Sequence, residues 1–156
     1  MKTAIRCAFA LAVLVAPIAA LASTTTTQEA SDESRFIYLL NKERTNRGKP
    51  ALRLTTKMRP ISREWSDKML AQGFISHRPD LVKQVESRVT THWLRLGENV
   101  GVGYGVDSLH QAFMNSAAHK ANILGDYNYV SVGVQRTSSG KIYVTVNFIK
   151  SSVALS

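Results

Sequence analysis

The sequence has a single cysteine, Cys7, among its 156 residues. It lies in an N-terminal stretch with the pattern of a secretory leader: Lys2 and Arg6 at the basic start, an apolar middle, and Ala-Leu-Ala before Ser23. We therefore expect residues 1–22 to be a cleaved signal peptide, which leaves a mature chain with neither disulfide nor thiol. That composition excludes a cysteine nucleophile and a thiolate metal site.

The sequence also lacks a long apolar run. Residues 7–15 form an apolar stretch that is too short to favour a membrane-spanning helix, so we expect no transmembrane segment after signal cleavage. Cys7 lies too early in that stretch to be a lipidation site. The mature protein is predicted to be secreted or periplasmic.

Acidic residues are scarce relative to basic ones. The net charge of +9 falls by two, to +7, when the leader is removed, because Lys2 and Arg6 leave and no acid does. Such a domain would be drawn to an anionic surface of lipid headgroups or envelope phosphates. The basic residues are scattered singly and match no nucleic-acid-binding module, so we expect no nucleic-acid partner.

A serine nucleophile is not indicated either. The sequence has no Gly-x-Ser-x-Gly elbow. Ser76 precedes His77, and Ser116 lies three residues before His119, but Ser116 is the expected N-terminal cap of a short helix. Neighbourhood in sequence does not orient a histidine against a hydroxyl as a Ser-His-acid triad requires.

The remaining pattern predicts one domain over residues 31–150, between a flexible Thr-rich tether at residues 23–30 and a tail at residues 151–156. Apolar spacing predicts a helix that ends near Arg47, a second that begins at 57 or 60 and ends near Gly73, a third capped by Asp107 or Ser108, and a short fourth helix. Residues 78–95 are expected to form a loop or broken helix. Strands are predicted at 94–102, 130–136 and 142–148, the last two as a hairpin. Helices separate from largely antiparallel strands indicate an α+β fold.

Polar residues in small, apolar surroundings indicate the floor of a cleft. Glu98 and Asn99 lie between glycines in a strand-like run, and His119 lies in the first turn of the helix capped by Ser116. His77 follows Gly-Phe-Ile-Ser and is the third titratable member. His110 lies off the apolar face of its helix and is expected to face solvent.

Five segments in order resemble a bacterial CAP domain, the superfamily of cysteine-rich secretory proteins, antigen 5 and plant pathogenesis-related proteins. They are Gly-Phe-Ile-Ser-His at 73–77, Gly-Glu-Asn-Val at 97–100, Phe-Met-Asn-Ser-Ala-Ala-His-Lys-Ala-Asn-Ile-Leu at 113–124, Val-Gly-Val at 132–134 and Tyr-Val-Thr-Val-Asn-Phe at 143–148. The resemblance implies an α-β-α sandwich with a small, largely antiparallel sheet between helices and a central cleft.

In that family the cleft usually carries two histidines and two acids, which in some members hold zinc. His77 and His119 match the histidines and Glu98 matches the first acid, whereas Ser116 stands where the second acid is expected. Phe113 stands where the family has tryptophan. The resemblance therefore implies a zinc site at His77, Glu98 and His119, with the cleft completed by Asn99 and Ser116.

Two roles stay open for these residues. Glu98 could simply pair with the two histidines and brace the cleft, or the three could bind a ligand or zinc, as a two-His-one-carboxylate set can. The helix N-terminus is expected to lower the pKa of His119.

The function that the resemblance and the positive net charge imply first is a binding module for a lipid, a sterol-like molecule or an envelope component. The alternatives are a zinc-dependent hydrolase of a peptide or ester and a secreted protein that acts on a host or partner protein. Because Ser116 stands where the family has its second acid, the sequence favours a binding role over catalysis.

Overall fold

The structure, a computed structural model, describes residues 18–155. Within that range five helices and four strands follow in the order α1 (Ile18–Thr45), β1 (Arg53–Leu54), α2 (Arg59–Gln72), α3 (Leu81–Arg88), β2 (Trp93–Gly103), α4 (Val106–Asn115), α5 (Ala117–Ile123), β3 (Tyr129–Arg136) and β4 (Ile142–Ser151). None of the described helices has the length and hydropathy needed to cross a bilayer.

The four strands form one mixed sheet in the order β1-β3-β4-β2. β4 pairs antiparallel with both β3 and β2, and the two-residue β1 runs parallel to β3. The turn that joins β3 to β4 contains Gly140 at φ 84°, a left-handed conformation that suits glycine. The predicted hairpin and largely antiparallel sheet are confirmed, and β2 forms one edge of the sheet.

One face of the sheet is apolar and packs against α1 and α4. Because side chains alternate along a strand, every second residue of β3 and β4 faces this layer. The buried set comprises Val130, Val132, Val134, Ile142, Val144, Val146 and Phe148 from the strands, with Phe36, Leu40, Leu109 and Phe113 from the helices.

The opposite face packs against α2 and α3, which completes the predicted α-β-α sandwich. Trp65 and Met69 of α2 contact Val100 and Tyr143, and Val85 of α3 packs in a separate cluster with Met58, Tyr129, Ile149 and Leu155. α2 also approaches β3 and β4 through small polar residues: the Ser62 hydroxyl donates to Ser131, and the Asn147 side-chain amide donates to Ser62.

The structure corrects the prediction of a flexible N-terminal tether. Residues 23–30 belong to α1 rather than to a flexible segment, although consecutive threonines have modest helix propensity. Contacts with the sheet explain the helix: the Arg136 backbone N–H donates to Glu29, the Val134 backbone N–H donates to Glu33, and Asp32 pairs with the Arg136 guanidinium. Residues 1–17 lie outside the described residues, and cleavage after Ala22 stays a prediction.

Other boundaries differ by small amounts. The segment 78–95, expected as a loop or broken helix, contains α3. α4 begins at Val106 after Gly105, because the Leu109 N–H donates to the Gly105 carbonyl and neither Asp107 nor Ser108 is the cap. α2 begins at Arg59 with Pro60 in its first turn, where proline is tolerated.

The tail and His110 also differ from expectation. β4 extends to Ser151, and the N–H of buried Leu155 donates to the Tyr129 hydroxyl. His110 is only 5% exposed, so the prediction that it faces solvent is wrong. α4 is covered by α1 as well as by β2, and the His110 ring meets the Phe36 ring edge-on at 6.3 Å between centroids.

Candidate functional site

β2 distributes the motif residues 97–103 between the two faces of the sheet. A Cβ added at Gly97 would come within 2.5 Å of the Tyr127 hydroxyl, just after α5, and within 3.1 Å of Asn122 on α5. A Cβ added at Gly101 would come within 2.8 Å of the Phe113 ring on α4. Glu98 has the opposite orientation and contacts the segment that follows α2. The glycines therefore let two helices approach the strand while the acid is directed to the other side.

Glu98 is the most buried titratable group among the predicted site residues, with 6% of its side chain exposed. Its Oε1 atom accepts hydrogen bonds from His77 Nδ1 at 2.8 Å and from the Arg78 backbone N–H at 3.0 Å. Its Oε2 atom is buried and has no hydrogen-bond partner within residues 18–155. Burial raises the pKa of the Glu98 carboxyl, and the Arg78 N–H and the His77 ring oppose that rise.

The His119 ring lies on α5 and is stacked on the Phe113 ring of α4, with ring centroids 4.7 Å apart. Its Nδ1 atom is buried without a partner in the described part of the chain. Burial lowers the pKa of His119, and the charge of His77 adds to that effect. The predicted direction is confirmed, but the main cause is burial rather than the helix terminus.

The side-chain amides of Asn99 and Asn122 join β2 to α5. The Asn99 side-chain amide donates to the His119 carbonyl at 3.0 Å. The Asn122 side-chain amide donates to the Glu98 carbonyl at 3.1 Å and to Asn99 Oδ1 at 2.9 Å. Since Asn99 is fully buried, these bonds fix α5, and with it His119, against β2.

Ser116 is the N-cap of α5, as predicted, but its side chain makes no capping hydrogen bond. It lies instead in the wall of a cavity of about 240 Å³ that opens beside the free edge of β2. Residues 100–102 of β2 form one wall; the others are formed by Leu109, Ala112, Phe113, Ser116, His119 and Ile75. Most of this lining is apolar, with His119 and Ser116 as its polar end.

The geometry does not provide the three-ligand zinc site that the resemblance implies. Within residues 18–155, no three His, Cys, Asp or Glu side chains come close enough together to hold a metal ion. Glu98 Oε1 is already engaged by His77 and Arg78, and Ser116 offers a hydroxyl where a carboxylate is expected. The donor set therefore does not fit zinc in this conformation, and zinc binding stays a prediction from the resemblance.

Three residues that hold the site together were not predicted from the sequence: Arg78, Trp65 and Asn122. Arg78 acts on Glu98 through its backbone N–H, which no residue pattern can reveal. Its guanidinium lies 5.6 Å from the Trp65 ring centroid, and Trp65 Nε1 donates to the Ser76 carbonyl at 2.7 Å, which holds the His77 segment in place. Asn122 lies within the Ala-Asn-Ile motif, so its position in that motif was the available signal.

Comparison with known proteins supports the family and the fold. The family model described as "CAP: Cysteine-rich secretory protein family" matches residues 37–148, which include His77, Glu98, Asn99, Ser116 and His119. No curated protein matches the chain.

Solved structures share the fold at low identity. An outer surface protein from Borrelia burgdorferi has a TM-score of 0.71 at 15% identity, over 78% of this chain and 94% of that one. An extracellular protein with an SCP domain from Bacillus anthracis has a TM-score of 0.73 at 21% identity, over 82% of this chain and 43% of that one. A cysteine-rich secretory protein from Staphylococcus aureus has a TM-score of 0.64 at 20% identity, over 79% of this chain and 40% of that one.

The chain thus spans less than half the length of two of these relatives. At such identities the structures establish the fold alone, whereas the family model covers most of the chain. The protein therefore belongs to the CAP family of cysteine-rich secretory proteins.

Proposed function

We propose that this CAP domain is exported and acts as a binding module, with the apolar part of an envelope ligand held in the cavity between β2 and α4. Lipids and sterol-like molecules are the ligand class that the family resemblance implies. The observation that carries the proposal is the cavity of about 240 Å³, with a mainly apolar lining and a polar end at His119 and Ser116.

Binding of an apolar ligand in such a cavity is favourable because it removes apolar surface from water. An apolar ligand removes from water mainly the surface of Ile75, which is 44% exposed, at about 25 cal/mol per Å². Leu109 and Phe113 are already nearly buried, and they offer packing contacts. The neighbouring His119 and Ser116 can orient a polar end group, as the few polar groups of an apolar site commonly do. The net positive charge of the mature chain would favour approach to an anionic envelope surface.

The test is extraction of copurifying molecules from protein recovered after export by its native host. Ala112 is exposed and lines the cavity, so Ala112→Trp should fill the cavity without disturbing the core. Gln111→Trp adds the same bulk at the adjacent exposed position, outside the lining residues. We expect mass spectrometry to find a stoichiometric apolar molecule on the wild type and on Gln111→Trp, and little on Ala112→Trp. Equal yields from all three proteins would count against the cavity as the binding site.

A zinc-dependent hydrolase is the alternative predicted from the sequence, and the arrangement of donors gives it little support. We expect calorimetric titration with zinc at pH 7.5 to give no saturable one-to-one binding to the wild type, because the three predicted ligands do not converge. Saturable binding that is lost in a folded His119→Ala variant would restore the metal site, and substrate screening would follow.

A further inference from the structure

We propose that the domain docks on an anionic lipid bilayer through an apolar patch formed by Phe74, Ile75 and Tyr104, and takes its ligand from that bilayer. The inference rests on the proposed function, since it names the surface through which the cavity between β2 and α4 receives an apolar molecule. It adds the partner and the route of entry, neither of which the cavity itself specifies.

The side chains of the apolar patch are exposed in spite of their hydrophobic character. Phe74 and Tyr104 are 60% and 74% exposed, and Ile75 is exposed as well. Ile75 lines the cavity, and Phe74 precedes it in the sequence. Tyr104 follows the lining residue Val102 by two positions, directly after β2. The patch therefore adjoins the cavity, and contiguous exposed apolar groups of this kind mark surfaces that contact a protein or a membrane.

Two lysines beside this surface favour a bilayer with anionic headgroups. Lys68 Nζ lies 5.1 Å from the centroid of the Trp65 ring. Lys141 Nζ lies 5.7 Å from the centroid of the Tyr143 ring. The two rings belong to one buried cluster, against which Val102 packs. Neither ammonium group forms an ion pair within residues 18–155, so both charges are available to lipid phosphates.

The class of ligand decides between a membrane and a protein as the partner. A lipid-type molecule resides in a bilayer, and its transfer through water is unfavourable because apolar surface would be exposed. Phe74 and Ile75 inserted among the acyl chains would connect the bilayer interior to the cavity. The Tyr104 hydroxyl would remain at the level of the headgroups, as an aromatic side chain with a polar end does at such a boundary. Lys68 and Lys141 would then contact the phosphates.

The experiment measures cosedimentation of the purified protein with vesicles of phosphatidylcholine and phosphatidylglycerol in equal parts. Phe74→Ser/Tyr104→Ser removes two side chains of the apolar patch at exposed positions, where the fold should be kept. We expect its binding to the vesicles to be at least about tenfold weaker than that of the wild type. Leu94→Ser is the matched control and should bind as the wild type does, because Leu94 is 64% exposed near the start of β2, away from the patch. Equal binding of all three proteins would overturn the inference.

The lysines are tested with the same vesicles. Lys68→Gln/Lys141→Gln should weaken vesicle binding by about fivefold or more, because each lysine near an anionic surface contributes to the attraction. Lys49→Gln/Lys57→Gln removes the same net charge from exposed positions between α1 and α2, and it should weaken binding less. Equal effects of the two variants would contradict the placement of Lys68 and Lys141 against the bilayer.

Binding of a dansyl-labelled fatty acid in solution separates this inference from the proposed function. Phe74→Ser/Tyr104→Ser leaves Ile75 and the other lining residues unchanged, so it should bind the fatty acid as the wild type does. If the wild type binds the fatty acid but not the vesicles, the docking inference fails and the proposed function stands. If the wild type binds the vesicles but not the fatty acid, the proposed function fails, and the transfer of a ligand from the bilayer fails with it.

Discussion

Glu98 illustrates how one residue links the strand to the segment after α2. Its Oε1 atom satisfies the Arg78 backbone N–H and the His77 ring, while burial leaves its Oε2 atom without a partner in residues 18–155. The contact with His77 confirms part of the bracing interpretation. The other part, a direct contact of Glu98 with His119, is not among the hydrogen bonds of the described chain.

Substitution of Glu98 should separate its hydrogen bonds from its charge. Glu98→Ala leaves the Arg78 N–H without its acceptor, and we expect a loss of about 1–3 kcal/mol in the free energy of unfolding. Glu98→Gln keeps an acceptor oxygen and removes a carboxylate whose pKa burial has raised, so we expect a smaller loss, below about 1 kcal/mol. Urea unfolding at pH 7 measures both, and equal losses would show that the charge itself holds the contact.

His110 should make the fold sensitive to acid. Both of its ring nitrogens are buried without hydrogen-bond partners in the described residues, and burial lowers its pKa, against the attraction of Glu43 and Asp107 and in the same direction as Arg35. A lowered pKa means that the unfolded chain binds the proton first. The contribution of neutral, buried His110 to the free energy of unfolding is therefore fully present above about pH 6.5, the ordinary pKa of histidine. This contribution is lost as the pH falls below that value.

His110→Phe tests this effect, since phenylalanine keeps the ring contact with Phe36 and cannot be protonated. Urea unfolding at several pH values between 5 and 8 should show a shallower loss of stability on acidification in the variant than in the wild type. The slope with pH is the informative quantity, because repacking shifts the whole curve. Identical slopes would assign the acid sensitivity to other groups.

At the scale of elements, α2 is held unusually close to the sheet. A Cβ added at Gly133 of β3 would come within 2.3 Å of the Ser62 carbonyl carbon and 2.4 Å of the Arg63 nitrogen, both backbone atoms. The short approach lets the Ser62 and Ser66 hydroxyls reach polar groups of the sheet. This packing fixes the position from which α2 leads into the His77 segment.

Gly133→Ala should therefore destabilise the fold by about 2 kcal/mol or more, because backbone cannot move aside as a flexible side chain can. Gly103→Ala is the matched control: its added methyl group would find its nearest neighbour, Leu109 Cβ, at 3.7 Å, an ordinary contact. Thermal unfolding of the two variants provides the comparison. Similar midpoints would mean that α2 can shift away from β3 at little cost.

α5 is held by a different device. Arg44, 2% exposed near the end of α1, donates to the carbonyls of Ile123 and Gly125 at 2.9 and 2.8 Å and to that of Pro50 at 2.9 Å. The guanidinium thus satisfies carbonyls at the end of α5, groups that a helix leaves unpaired. His119 is consequently supported from both ends of its helix, by Asn99 on β2 and by Arg44 on α1.

The elements that could be predicted from the sequence are those with strong periodicity. Alternation from Ile142 to Phe148 predicted a strand with one apolar face, and Gly73 correctly marked the end of α2, where it adopts φ 80°. The helical state of residues 23–30 could not be predicted, because it depends on Glu29 and Glu33 reaching β3, about a hundred residues away in sequence. The burial of His110 likewise depends on how α1 lies across α4.

At the scale of the whole molecule, the candidate site is a meeting of distant segments. The family resemblance predicted that His77 and Glu98 lie close together, and the structure shows their hydrogen bond. The spacing of the two residues in the sequence does not by itself predict this contact. The cavity could not be predicted, since it arises between the free edge of β2, α4 and Ile75. Of the residues predicted for the cleft, Ser116 and His119 line this cavity, whereas His77, Glu98 and Asn99 are not among its lining residues.

The most direct test of the central claim is a titration of the purified protein with a dansyl-labelled fatty acid, followed by fluorescence. The account predicts saturable binding to the wild type and to Gln111→Trp, and affinity at least about tenfold lower for Ala112→Trp, because the added ring occupies the cavity that the acyl chain needs. Binding of equal strength to all three proteins, or absence of binding to the wild type, would contradict a ligand site between β2 and α4.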